Sequence, residues 1–337
     1  MGKMRRISLV TGLVIVLILL VIFSLTQGRY GITPLTVFKI LLAQVIPLEP
    51  TWTETMETVV VDVRLPRIGA GLVVGMGLAL SGATFQAMFK NPLVSPDLLG
   101  VSTGAALGAA AAILMHLPAF GVQVSALGGG LLAVFLTTSI PRAFRNSSNM
   151  MLVLAGIIVA GFLGSLLGIL KYIADPETEL ATITFWQMGS LATVENRSLL
   201  MVLPAMLVAM VILYAIRWQI NILSLGETEA KTLGMNVKHM RGLAILCSTI
   251  LTACAVCISG SIGWVGLVIP HLGRMLAGPD NTRLTPVVIL LGPIFMGFID
   301  MLARSITTGE IPLSILTGLV GAPFFAWLLR KQRMKIS

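Results

Sequence analysis

Three stretches carry residue types that could do chemistry. The first, GETEAKT (226–232), nearly spells a phosphate-binding loop: Gly226, four residues, then Lys231 and Thr232. Such a loop needs glycine directly before the lysine, because the backbone there bends around the phosphates. Ala230 occupies that place and no strand leads in, so the segment is not a nucleotide site. The second, Cys254-Ala-Val-Cys257 with Cys247 close by, is formally a redox or metal pair. It lies in an apolar run without basic or histidine neighbours to stabilise a thiolate, so small packing residues are expected. The third is Asp300, one carboxylate in an apolar run, with Arg304 four residues on as a structural partner. The histidines at 116, 239 and 271 are scattered, and no intramembrane hydrolase constellation forms. Gly75-Met-Gly77 has no strand before it, so it is not a dinucleotide loop.

If 223–241 does no chemistry, its charge must serve another purpose. Glu227 to Leu233 predicts two helical turns, and Gly234 can end them with positive φ. Asn236 then caps a second short helix running into Arg241. Two short helices at an angle make a rigid charged knob, suited to docking on a protein partner. The plainer alternative is a solvated loop.

The elements that must hold this knob are apolar. Of 337 residues, 56% are hydrophobic and 11% charged, against about a quarter charged in soluble domains. That excludes a soluble fold and predicts an all-α polytopic membrane protein, one compact bundle over 1–337. Ten spans are expected: 7–26, 67–87, 98–115, 122–140, 149–170, 198–216, 242–259, 262–278, 285–303 and 312–330. The apolar stretch 7–25 is long enough to span, so it is expected as a retained helix rather than a cleaved signal. Residues 33–46 predict a short amphipathic helix, and 176–194 a loop with a short helix near 184–191. With ten spans both termini share one side. Placing them in the cytoplasm puts 16 of the 23 lysines and arginines there, as the positive-inside tendency requires. The net charge of +9 is then an orientation signal, and no nucleic acid is needed as partner.

Small residues at Gly71/Gly75 and Gly100/Gly104/Gly108 predict close helix contacts within the chain. Ser81-Gly82 followed by LVSPDL (93–98) is faintly echoed by Ser259-Gly260 followed by LVIPHL (267–272), as an inverted repeat would be.

Five blocks in order resemble one known family. They are Arg64-Leu-Pro-Arg67, SGATFQAMFKNPLVSPDLLGVSTGA (81–105), LSLGETEAKTLGMNV (223–237), GSIGWVGLVIPHLGRMLAGPDNTRLTP (260–286) and GEIPLSILTGLVGAPFFAWLLRK (309–331). The chain resembles the FecCD-type permease of type II ABC importers, which carry iron–siderophores, haem or cobalamin. The resemblance implies ten helices and a second permease subunit, identical or homologous. It implies two cytoplasmic ATPases, which hold ATP and Mg, while this chain holds no cofactor, no metal and no catalytic residue. It also implies an external substrate-binding protein and a bacterial cytoplasmic membrane. By the same resemblance Gly226, Glu227, Glu229, Lys231 and Gly234 belong to coupling helices that seat on the ATPase. Arg64, Arg67 and Arg304 dock the binding protein's carboxylates; Asn91, Pro92, Leu93, Ser147 and Ser148 form the cytoplasmic gate. An iron–siderophore cargo is expected, with cobalamin, haem or molybdate-type anions as alternatives. An ion-coupled secondary transporter is the rival of another class. It would want several buried carboxylates, where the spans hold Asp300.

Overall fold

The computed structural model describes residues 3–28, 30–144, 148–307 and 309–333. Every regular element among them is helical. Helices α1 (Lys3–Thr26) and α2 (Pro34–Ala43) come first. Then α3 (Glu54–Thr58) passes through a π-helical turn (Val59–Arg64) into α4 (Leu65–Met88). A 3₁₀ turn (Pro96–Leu99) leads to α5 (Val101–Leu114), followed by α6 (Ala119–Ala143), α7 (Asn149–Ile173), α8 (Glu179–Met188) and α9 (Asn196–Ala215). Short α10 (Arg217–Leu225) and α11 (Glu227–Thr232) precede α12 (Val237–Ser259), α13 (Val265–Ala277), α14 (Asn281–Ser305) and α15 (Leu313–Arg333).

Among the described residues, seven helical stretches are long and apolar enough to cross a membrane: Ile7–Thr26, Glu54–Met88, Ala119–Ala143, Asn149–Ile173, Asn196–Ala215, Val237–Ser259 and Asn281–Ser305. The other three expected spans are shorter apolar helices, Val101–Leu114, Val265–Ala277 and Leu313–Leu328. Local backbone explains two of the late starts. Pro96 and left-handed Gly100 (φ 76°) delay α5, and Trp264 at φ 70° delays α13. The short helix expected near 184–191 lies earlier, at Glu179–Met188, because Gly189 turns with φ 75°. The two echoing segments fall on different elements. Residues 93–98 are a loop and 3₁₀ turn, whereas 267–272 lie inside α13.

Helices α4 and α12 form the centre: 78% of the spanning window of each is buried, against 6% for α1. A helix can sit there only if its neighbours come close, and glycine allows it. Gly75 and Gly292 face each other so tightly that a Cβ on either would stand 2.4 Å or less from the other's carbonyl oxygen. Gly104 and Gly129 hold α5 against α6 in the same way. Ser81 Oγ donates to the Ser248 carbonyl at 2.9 Å, tying α4 to α12. The three cysteines are buried and free, and Cys257 Sγ donates to the Cys254 carbonyl within one helix. Among the described residues no group of His, Cys, Asp and Glu could hold a metal ion.

Overpacking a tight contact typically costs 1–3 kcal/mol, and here the obstacle is backbone that cannot rotate away. Gly292→Val should lower the thermal unfolding midpoint in detergent sharply or abolish the folded protein. Gly12→Ala, where nothing lies within 4 Å, should leave the midpoint unchanged.

Candidate functional site

The charged segment folds as a compact elbow. Gly226 separates α10 from α11 with φ 140°, a conformation favouring glycine. Helix α11 ends at Gly234 with φ 77°, and the Asn236 side chain accepts from His239 N–H at 3.1 Å. That N-cap begins α12 itself. The expected second short helix is therefore the first turn of a long one, and the short partner of α11 is α10. Leu223, Ala230 and Val237 bury against one another beneath the elbow, which makes it rigid. Above them Glu227 meets Lys231 at 2.9 Å and Arg241 at 3.2 Å. Hydrogen bonds from Lys231 and then Arg241 hold the Glu227 carboxyl below its ordinary range. Such support is present above the ordinary carboxylate pKa, about 4.3, and is lost as pH falls through the depressed value. The pair is solvent-exposed, so it contributes at most about 1 kcal/mol.

The elbow touches the end of α4. Lys90, left-handed at φ 53°, sends its ammonium to the Leu225 carbonyl at the α10–α11 junction. Just beyond it Asn91 Oδ1 accepts from Leu93 N–H at 2.9 Å, closing a tight turn. Asn91, Pro92 and Leu93 are exposed on this face. Ser148 N-caps α7, accepting from Met151 N–H, and Asn149 donates to the Met88 carbonyl at 3.0 Å. Ser147 lies outside the described residues. A cleft of about 220 Å³ is lined jointly by Met88, Lys90, Ser148, Gly226, Glu227 and Arg241. Ser148 of the expected gate thus meets Gly226 and Glu227 of the expected coupling segment in one cleft.

At the other end of α4 the three expected docking arginines point inward. Arg64 is 4% exposed and donates to the Leu25 and Tyr30 carbonyls. Arg67 is 7% exposed, donates to Asp300 Oδ1 at 2.8 Å and makes a two-pronged contact to Glu310 at 2.6 and 3.1 Å. Arg304 donates to the Ser24 and Gln27 carbonyls and stands 3.6 Å from Asp300. The expected Asp300–Arg304 pair exists, but Arg67 is the stronger partner. None of the three is a free fork facing outward, because each lies within reach of carbonyls or carboxylates brought in by distant chain. Glu310 and Lys90 were not singled out from sequence. Glu310 is 243 residues from its partner, a separation no local pattern reports.

The described helices form a largely apolar bundle suited to a membrane, with a charged elbow on one face. Comparison with known proteins agrees. The model of the FecCD transport family matches residues 16–331. The molybdate import permease MolB of Haemophilus influenzae is 43% identical over 95% of this chain and 94% of its own. A probable iron chelatin permease of Helicobacter pylori is 37% identical, covering 83% and 84%. The hemin permease HmuU of Yersinia pestis is 36% identical, covering 94% of both. A solved metal-chelate type ABC transporter, described as inward-facing, superposes with TM-score 0.86 at 40% identity, covering 96% of this chain and 99% of that one. The chain belongs to the FecCD transport family and is a permease subunit of an ABC importer of metal-chelate type.

Removing one partner of a buried ion pair strands the other charge, at about 3–5 kcal/mol. Arg67→Met should therefore destabilise the protein by that order, read by thermal unfolding. Arg67→Met combined with Asp300→Asn and Glu310→Gln should recover most of the loss.

Proposed function

We propose that this permease pairs with a second permease subunit, identical or homologous, and forms the pathway for an anionic metal complex. A ferric siderophore is the expected cargo, with cobalamin, haem and molybdate-type anions as alternatives. The expected ferric cargo has iron-chelate and hemin permeases among its relatives, and the molybdate alternative has the 43% identical MolB. Two cytoplasmic ATPases, which bind ATP and Mg, drive it, and a substrate-binding protein delivers cargo from outside. The chain is one domain over 1–337. The shorter apolar helices complete ten spans; α5 and α13, with 14 and 13 residues, are only about 20 Å long, so these two need flanking turns to cross. Both termini and the elbow face the cytoplasm.

One observation supports the mechanism best: Lys90 bonds the elbow to the turn at 91–93. Helix α11, with Glu227, Glu229 and Lys231, offers the ATPase a rigid charged surface. Closure of the ATPases moves the elbow, and Lys90 passes that displacement to Asn91, Pro92 and Leu93, with Ser147 and Ser148 on the adjoining loop. A shift of a few kcal/mol in differential binding suffices for such a two-state gate. At the external face the binding protein rests on loops that Arg64, Arg67 and Arg304 hold from beneath.

Reversing the elbow's charge tests this reading. The importer reconstituted in liposomes should hydrolyse ATP, and Glu227→Lys with Glu229→Lys should lose both the ATPase subunits and the activity. Unchanged activity in that variant would refute the coupling assignment. Uptake that collapses with the proton gradient while ATP stays high would favour a secondary transporter.

A further inference from the structure

A cavity of about 560 Å³ opens beside the turn at 91–93, lined by Gln86, Lys90, Asn91, His271, Arg274 and Asn281 among others. Its lining holds two permanent cations and no carboxylate. Arg274 is the unusual member. Among the described residues its one hydrogen-bond acceptor is Gln86 Oε1, and no carboxylate lies within ion-pair distance. Gln86 cannot turn away, because its amide donates to the Val94 carbonyl at 3.2 Å and the Gly266 carbonyl at 3.3 Å. The remaining N–H donors of the guanidinium fork are therefore held beside open space. The acidic neighbour Asp280 is occupied elsewhere: it accepts from Asn221, Thr282 N–H and the Thr282 hydroxyl, and lies 3.4 Å from Arg283. His271 is 8% exposed, and its Nδ1 has no hydrogen-bond partner among the described residues.

A desolvated cation without a counter-ion is costly unless a ligand supplies the charge. Arg offers a planar fork that matches oxyanion geometry. We propose that Lys90, His271 and Arg274 form a binding site for a small tetrahedral oxyanion at the inner mouth of the permease. The ligand is either cargo leaving the pathway or the cell's own phosphate. The site itself stands on the cavity; only its use by cargo rests on the function proposed above. A bound anion would also contact Lys90, the residue that joins the elbow to the gate turn.

The test is equilibrium binding to the purified permease–ATPase complex in nanodiscs, without nucleotide, using molybdate and inorganic phosphate as separate probes. Arg274→Gln should weaken binding at least tenfold, and Lys90→Gln, at an exposed position, should weaken it several-fold. Arg142→Gln, an equal charge change on the exposed end of α6, should not. Tighter binding of molybdate assigns the site to cargo, and equal or tighter phosphate binding assigns it to the cell's phosphate; either supports the site. No binding of either probe overturns it. So does equal loss in Arg142→Gln and Arg274→Gln, which would mean diffuse attraction to a basic face. ATP hydrolysis measured on the same samples reports the importer reading separately.

Discussion

The closeness of α4 to its neighbours is the constraint on which the rest depends. In lipid, helices gain nothing from hiding apolar surface from one another, so association rests on close packing and hydrogen bonds. Gly75 against Gly292 lets two backbones touch. Gly82 lies equally close to the Gly266 carbonyl, bringing α13 onto the same helix. With α4 thus wedged among α12, α13 and α14, its two ends become fixed points. Arg67 sits at one end and Lys90 at the other.

Those ends do different work. At Arg67 the cation is surrounded by Asp300 and Glu310, and Arg304 closes the group from the same helix as Asp300. Two cations and two carboxylates balance, and they join α4, α14 and the loop before α15. Arg64 and Arg304 extend the group to α1 through main-chain carbonyls. This end is built to stay still. At Lys90 a flexible side chain makes a single bond to the elbow, beside exposed turns and the cationic cavity. One end of α4 is thus braced and the other lightly tied.

Much of this was legible in the sequence because its physics is local. Apolar runs announced the long helices. Gly234 announced the end of α11 and Asn236 a helix start, since positive φ and N-capping are single-residue properties, but that start is α12 itself and not a separate short helix. What stayed hidden was contact between distant residues. Nothing near Arg67 in sequence points to Glu310, and nothing near Gln86 points to Arg274. For the arginines at 64, 67 and 304 most partners stayed out of sight, being backbone carbonyls and remote carboxylates. Two helices, α5 and α13, were overestimated in length because an apolar composition does not show where Gly100 or Trp264 will break the backbone. The family resemblance gave roles to residues, but the bond from Lys90 to Leu225 had to be seen in three dimensions.

The central claim is that Lys90 carries motion from the elbow to the turn at 91–93. It is tested most directly by pulsed electron–electron resonance on the reconstituted importer, with a spin label at Leu93→Cys in each permease subunit. The native cysteines are buried and should stay unlabelled. The account predicts that ATP changes the label-to-label distance in the parent, and that Lys90→Met abolishes the change while the ATPases still bind nucleotide. The same distance change in Lys90→Met as in the parent would contradict it.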